Sequence, residues 1–493
     1  MTPELLSLAR YLASSRSEFK LSEMNQYLSK SYEEKELYDI LKPHFFDLDL
    51  FCDAHYNCTK LAKRPLPADE SVIHELEEML KAPWLPLYIE KLIDSYIERS
   101  CGKDWHTGET ARILRENIVK QKEEYWRGSS KYPKLRVITY LLYHFPVYFC
   151  QFQYLLLDLL KGGLLTTKMS IVDVGSGPGT ITLSTIDFLN KLLSVYSKKG
   201  LDIKLNIKID SIEKVQENID CYKELTSLYL SQHQHENANI IVNQPAHSPL
   251  EKAQPVVGAD LIIFSNVLAE MSSPHSERAR AVEKLASESQ NPTVLLVEPA
   301  DLVNSKALRI TQQALMNRGF TVYSPCTFLW GAVCTAGDCW SFREEGNIRV
   351  PDFMRKIAGT EEAYRYLNTD MKFTYAILRK DGAVKQKYRA KGKFARLSSL
   401  RKHLKKRINV VVSVMSGNLG DEKTFVFKIC DGTTSVPCYA VIPAYHKNDK
   451  NKALLEANYG SIVEIFGALV RENEEFSSYN LLINRNTIVE PVK

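Results

Sequence analysis

Three cysteines, Cys326, Cys334 and Cys339, stand within fourteen residues in the stretch "SPCTFLWGAVCTAGDCWSF" (324–342). Thiolates are soft ligands for zinc and for iron–sulfur clusters, and the Pro, Thr and Gly around them suit a loop on which they could converge. Their gaps of seven and four residues do not match the two-residue gaps of zinc fingers, and no histidine lies between them. The three-then-two spacing of radical S-adenosylmethionine enzymes is absent as well. Iron–sulfur clusters tolerate irregular spacing and are usually held by four thiolates. Spacing alone leaves a metal, buried thiols and a disulfide all open.

A second chemical element is "IVDVGSGPGT" (171–180), which ends an apolar run and opens a helical one. Glycines let the chain turn sharply, and the N–H groups of a helix start then face a negatively charged ligand group. A dinucleotide fingerprint needs glycines at its first, third and sixth positions. Here Gly175, Gly177 and Gly179 are followed by Thr180 at the sixth. This spacing fits the loop of S-adenosylmethionine-dependent methyltransferases, so Asp173, Gly175, Ser176, Gly177, Gly179 and Thr180 are candidate cofactor-binding residues. A carboxylate ending the next strand can accept both ribose hydroxyls. Glu213 in "IKIDSIEKV" is placed there, with Asp210 second to it. Asn266 and Glu270 in "FSNVLAEM" belong at the carboxyl edge of the sheet, where such folds bind ligands. Methyltransferases acting on base amino groups often carry Asn or Asp, then Pro-Pro and an aromatic, at this point. The chain reads Ser265, Asn266, Val267, Leu268 instead, and no catalytic base is assigned.

Charge marks a third region. Between Ala383 and Arg407 there are eleven Lys and Arg and no acid, against a net charge of +5 for the whole chain. A concentrated positive field favours a polyanion, because each phosphate contact releases counterions. Lys391, Lys393, Arg396, Arg401, Lys402, Lys405, Lys406 and Arg407 are the candidate RNA contacts, with Tyr388 and Phe394 as aromatics that could stack on bases. A solvated linker is the plainer reading of the same run.

The elements that must position these residues fall into three compositions. Residues 1–165 read as helical, with "ESVIHELEEMLKA" and "LPLYIEKLIDSYIERS" carrying apolar positions three and four apart and Ser71 as a helix cap. Residues 166–382 alternate strands ("MSIVDVG", "KLNIKIDSI", "NIIVNQ", "ADLIIFSN", "PTVLLVEP", "FTVYSP", "KFTYAILRK") with helices, which predicts an α/β fold with a mostly parallel sheet covered on both faces. The cysteines fall in an insertion, about 324–345, between the last two strands. After a basic linker (383–407), residues 408–493 show five strand-like runs with a helix between the third and fourth, the layout of an OB-fold-like β-barrel.

With 44% apolar and 25% charged residues the chain has an ordinary globular composition. No run of about eighteen apolar residues is present, so no membrane span is expected. "VITYLLYHFPVYFCQFQYLLLDLL" (137–160) is interrupted by His144, Pro146 and Asp158 and reads as a buried helix pair. No signal peptide is recognised, and ten cysteines are too few for a disulfide scaffold, so reduced thiols or metal ligands in a cytoplasmic compartment are expected. Cys52, Cys58 and His55 could form a further site, with plain thiols the simpler reading.

The order "FSNVLAEM", "LLVEPADL", "GFTVYSPC", "GDCWSF", "KFTYAILRKDG" resembles that of the methyltransferase-like assembly factors of the mitochondrial small ribosomal subunit and their prokaryotic relatives. The likeness runs from "YWRG" at Tyr125 to Gly382. It implies a Rossmann-like class I methyltransferase domain, in which methyl transfer is either active or lost, and binding to the small subunit and its rRNA. It further implies S-adenosylmethionine and a [4Fe–4S] cluster on Cys326, Cys334 and Cys339. Thr327-Phe328 replace the family's Pro-His, and Cys339-Trp340-Ser341 its Trp-Cys-His. The family's fourth cysteine precedes a glycine turn where this chain has "VVVSVMSGNLG"; Cys430 is the nearest downstream replacement, with Cys438 behind it. The expected protein is monomeric when free and acts in the cytoplasm, or in the mitochondrial matrix of a eukaryote. The rival reading is an active tRNA or small-molecule methyltransferase with structural cysteines or zinc.

Overall fold

The computed structural model describes residues 2–81, 83–124, 133–271, 273–331, 334, 339–360 and 362–492. The "YWRG" motif (125–128) and part of the cysteine insertion lie outside them. The chain divides into two compact units, the first comprising Met1–Ile263, Glu288–Gln290 and Asn347–Met371, the second Phe264–Ser287, Asn291–Gly346 and Lys372–Lys493.

The N-terminal part of the first unit is mostly helical, as its periodicity predicts, but it also holds a three-stranded antiparallel sheet. Glu18–Lys20 and Leu50–Cys52 flank Asn57–Lys60, over a core that includes Leu5, Leu12, Phe19, Leu37 and Phe45. Strands of three or four residues are too short to show alternation. The helix Glu70–Leu80 is capped by Asp69, whose carboxylate accepts the N–H groups of Ser71 and Val72; Ser71 lies inside the helix. The apolar stretch at 137–160 is the expected pair of helices, Pro133–Tyr143 and Phe145–Lys161. No helix of the described residues is long and apolar enough to cross a membrane.

The strands of the central sheet are β1 (Lys168–Val174), β2 (Leu205–Glu213), β3 (Ala238–Val242), β4 (Leu261–Ser265), β5 (Thr293–Pro299), β6 (Thr321–Ser324) and β7 (Asp370–Arg379). Their order is β6-β7-β5-β4-β1-β2-β3, with a two-residue strand on β2 and the short strand Arg343–Asn347 on β7. β1 and β2 run parallel, Lys168 opposite Asn206 through Val174 opposite Ile212, while β7 is antiparallel to both β5 and β6. β1 is buried on both faces after its first residue, as its continuous apolar run requires. Helices α1 (Thr180–Lys198), α2 (Gln216–His233), α3 (His275–Leu285) and α4 (Leu302–Met316) fill the connections. α4 starts at Asp301, which accepts from Val303 and Asn304.

The end of the second unit is a barrel of β8 (Arg407–Val414), β9 (Thr424–Cys430), β10 (Cys438–Pro443), β11 (Ile462–Asn473) and β12 (Ser478–Leu482), with β13 (Ile488–Pro491) added along β11. The ring runs β8-β9-β10-β12-β11 and closes between β8 and β11; only β10 and β12 pair in parallel. A short helix, Lys452–Leu455, interrupts β10 and β11 as expected. The final run, read as one strand, is two strands broken by a turn in which Thr487 N–H bonds the Asn484 carbonyl.

The basic segment is more than a linker. Its 3-10 helix Leu397–His403 inserts Leu397 and Leu400 into the barrel core, each burial favourable by about 1.5–3 kcal/mol.

Candidate cofactor loop and cysteine site

At the end of β1 the chain turns through three glycines in the left-handed region, Gly175 (φ 67°), Gly177 (φ 53°) and Gly179 (φ 93°). At Gly179 a Cβ would stand 3.1 Å from the Tyr222 ring, so a side chain there meets strain and a wall together. The Gly175 and Ser176 N–H groups bond the Ile212 carbonyl at 2.7 and 3.2 Å, tying the loop to β2. Glu213 closes the arrangement. Its buried carboxylate accepts from Gly177 N–H through Oε2, and from Lys214 and Val215 N–H through Oε1, all at 2.8 Å. Asp210 is taken by Asn243 at 2.6 Å instead, so Glu213 is the acid that meets the loop.

Asp173 is buried, with Oδ2 accepting from Thr182 Oγ1 at 2.9 Å and Oδ1 without a partner. Burial, with the nearby Glu213 charge adding to it, pushes its carboxyl up to about 7. Ser176 Oγ and Thr180 Oγ1 are likewise buried without a hydrogen-bond partner among the described residues. Buried polar atoms are normally satisfied; three unsatisfied ones on a glycine turn at a helix start are what a polar ligand would complete. The structure thus brings Asp173, Gly175, Ser176, Gly177, Gly179, Thr180 and Glu213 together. Asn266 belongs to the second unit, where it follows β4 at φ 57° with a buried Oδ1 that has no partner among the described residues. Glu270 is exposed in the following turn.

Sequence reasoning missed Glu298, although it ends β5 as acidic residues end β1 and β2. Its carboxylate accepts from Leu268 and Ala269 N–H at 2.9 and 3.3 Å, and its other oxygen is buried without a partner. Burial raises it to about 8. It lines a small pocket with Arg278, Asn304 and Thr311.

The cysteines lie entirely within the second unit. Cys326 follows β6, Cys334 and Cys339 belong to the insertion, and Cys430 ends β9. The segment after Cys326 is held on the barrel: Thr327 bonds Ser413 at 2.5 Å, and Trp330 Nε1 donates to Asp431 at 3.1 Å. Burial holds the Cys430 thiol well above its ordinary range, and the charges of Cys339, Cys326 and Cys334 push it further. Cys430 lies opposite Ser413, which bonds Thr327 beside Cys326, and Lys428, on the same strand as Cys430, reaches Cys339 Sγ. Cys326 is raised by burial too, with Arg309 opposing the rise and Cys339 adding to it. Among the described residues, which include all four of these cysteines, no three His, Cys, Asp or Glu side chains stand close enough to hold a metal ion. Cys438 is a barrel-core thiol. In the N-terminal sheet Cys52 and Cys58 face each other with sulfurs 2.8 Å apart, while His55 is exposed.

All eight candidate RNA contacts are exposed. Lys391, Arg401, Lys402, Lys405 and Lys406 form no ion pair among the described residues. The others are engaged: Lys393 approaches Glu464 (3.7 Å), Arg396 covers the Trp330 ring (4.8 Å), and Arg407 donates to the Gly467 carbonyl (2.8 Å). The two aromatics do not serve as expected. Phe394 is buried against Phe466, and Tyr388 is half-buried with its hydroxyl donating to Glu464 at 2.7 Å, so neither offers a face for base stacking. The exposed barrel aromatics are Tyr445 and Phe476, in the loops after β10 and β11.

A family model described as mitochondrial small ribosomal subunit Rsm22 matches residues 134–414. Models for the N-terminal and C-terminal domains of a domain of unknown function, DUF8157, match residues 2–54 and 398–492. No curated protein sequence matches. Among solved structures the chain is similar to magnesium protoporphyrin IX methyltransferase of Synechocystis with bound S-adenosylmethionine (12% identity, 55% of this chain and 98% of that one, TM-score 0.26). It is also similar to the N-methyltransferase NodS of Bradyrhizobium japonicum (10%, 43% and 77%, TM-score 0.23). A murine DNA-binding protein bound to double-stranded DNA aligns with 24% of this chain over 60% of its own (12% identity, TM-score 0.17).

Proposed function

The chain belongs to the Rsm22 family and carries a methyltransferase-like sheet, and from that premise we propose that it is an rRNA-binding assembly factor of the small ribosomal subunit. In this reading it holds S-adenosylmethionine at the glycine loop and a [4Fe–4S] cluster at Cys326, Cys334, Cys339 and Cys430. The observation that supports it is the position of Cys430: it lies opposite Ser413, which bonds Thr327 beside Cys326, and its strand neighbour Lys428 reaches Cys339 Sγ. In this reading Cys430 supplies the fourth thiolate a cluster needs.

The loop residues fit the cofactor. Glu213 keeps lone pairs on Oε2 for ribose hydroxyls, and Asp173 Oδ1, Ser176 Oγ and Thr180 Oγ1 are buried acceptors and donors still to be matched. When bound, S-adenosylmethionine supplies an electrophilic methyl group. No acceptor-holding motif follows β4, which favours a cofactor that stabilises a docking shape over one that turns over. The barrel order suits an OB fold, in which the loops after the first and fourth strands contact nucleic acid. Here these loops are 415–423 and 474–477, and the second presents exposed Phe476. The exposed Lys405 and Lys406, whose backbone pairs with Val470 on the strand leading into the second loop, would grip phosphates.

The test is an absorption spectrum with iron and sulfide assays on anaerobically purified wild type and Cys334→Ser, followed by co-sedimentation with small subunits. About four irons per chain, lost in the variant, and wild type in the subunit fraction are expected. A colourless, iron-free wild type made with full cluster-assembly support would sink the cluster. Tritiated methyl groups entering tRNA or a small molecule, without subunit binding, would favour the rival enzyme.

A further inference from the structure

Arg309 of α4 is buried, with only 3% of its surface exposed. A guanidinium does not lose its proton in a protein, and a buried cation is costly unless a negative charge faces it. Arg309 forms no ion pair with a carboxylate among the described residues. Its NH1 donates to Gln312 Oε1 (2.6 Å) and the Tyr375 carbonyl (3.0 Å), its NH2 to Thr374 Oγ1 (3.1 Å), and its Nε has no partner. All of these acceptors are neutral.

The same pattern surrounds the sulfurs. Lys428, half-buried on β9, points its ammonium at Cys339 Sγ (3.4 Å) and at the Trp340 carbonyl, and it too makes no ion pair among the described residues. Gln312, held by Arg309, donates Nε2–H to Cys326 Sγ (3.7 Å). The Gly432 N–H donates to Cys430 Sγ (3.3 Å). At least three of the four sulfurs thus accept a hydrogen bond, and two cations that pair with no acid among the described residues stand around them. Neutral thiols are weak acceptors and cannot offset a buried cation; thiolates can.

We infer that Arg309 and Lys428 are the counter-charges of an anionic metal–thiolate centre, and that with Gln312 and the Gly432 N–H they set its reduction potential. The inference rests on the cluster reading above and adds its regulation. A cluster on four thiolates becomes more negative on taking up one electron, so adjacent positive charge and N–H···S bonds favour the reduced form. Neither residue is proposed as a ligand; both position and bias the centre.

The test is a redox titration of the full-length, anaerobically reconstituted protein with dithionite and mediators, followed by electron paramagnetic resonance. Lys428→Met and Arg309→Gln are each expected to disfavour reduction about tenfold, about 59 mV for one electron. Arg309→Lys, which keeps the charge, is expected to stay closer to wild type than Arg309→Gln. Should Arg309→Gln fail to fold, Lys428→Met carries the test, because its side chain is half-exposed. Iron-loaded variants with the wild-type midpoint would overturn this inference while leaving the cluster intact. A wild type that takes up no iron would overturn the cluster reading and this inference with it.

Discussion

The basic segment offers the most quantitative test of the rRNA reading. Four exposed cations that form no ion pair among the described residues, Arg401, Lys402, Lys405 and Lys406, cluster where the 3-10 helix passes into β8. Arg407, next in the run, is left out because its guanidinium is already bound to the Gly467 carbonyl. Replacing the four with glutamine removes phosphate contacts without adding repulsion, and the buried Leu397 and Leu400 that anchor the segment stay in place. For single-stranded nucleic acid each neutralised phosphate contributes about −0.7 to the slope of log affinity against log salt. Loss of four such contacts should therefore flatten the slope by about 2.8. Between 50 and 200 mM salt, wild type should then lose about fifty-fold more affinity than the variant. Filter binding or fluorescence anisotropy with a small-subunit rRNA fragment, across that salt range, reads both numbers. Parallel slopes would refute the assignment of this face, even with weakened affinity at one salt concentration.

Three further outcomes are expected. Gly179→Ala should destabilise the fold by about 2 kcal/mol or more, because it adds left-handed strain to a Cβ contact 3.1 Å from Tyr222; Gly177→Ala, with open space around it, should cost only the strain. Thermal melts of the pair read the difference, and equal losses would dismiss the role of the Tyr222 wall. Asp173 titrates near 7 in the fold against 3.8 in the unfolded chain, so native Asp173 binds the extra proton between those values. Its contribution is complete below about pH 4 and falls away as pH rises through 7, by up to about 4 kcal/mol. Asp173→Asn should be the more stable protein at pH 8 and lose that advantage by pH 4; urea unfolding with the same pH profile for both would contradict the buried, unpaired carboxyl. Finally, Cys430→Ser should lose cluster iron while Cys438→Ser keeps it and merely loosens the barrel core. Iron assays giving the reverse order would exchange the two assignments.

What the sequence revealed follows from how local each constraint is. The glycine loop was legible because three left-handed positions within five residues leave almost no other choice of residue, and Glu213 followed because a strand end fixes where its acid points. The short N-terminal strands were not, since three residues cannot display a period. Phe394 was misread because a run of lysines and arginines hides a single buried ring, and only the barrel around Phe466 shows where that ring goes. From the sequence, Cys430 is proposed as a ligand through resemblance alone, because no spacing rule links it to cysteines in an insertion more than ninety residues upstream. Arg309 gave no signal at all: in "NSKALRITQQALMNRG" it reads as one more solvent-facing charge on an amphipathic helix. Its burial against neutral acceptors appears only once α4 and β7 are packed together. That contrast explains why the cofactor loop and the cysteine site demand different tests. The loop can be probed by single substitutions on one turn, whereas the cysteine site is assembled by the second unit as a whole. Its chemistry should therefore respond to changes, such as Lys428→Met on the barrel, that lie far in sequence from the insertion and leave all four sulfurs in place.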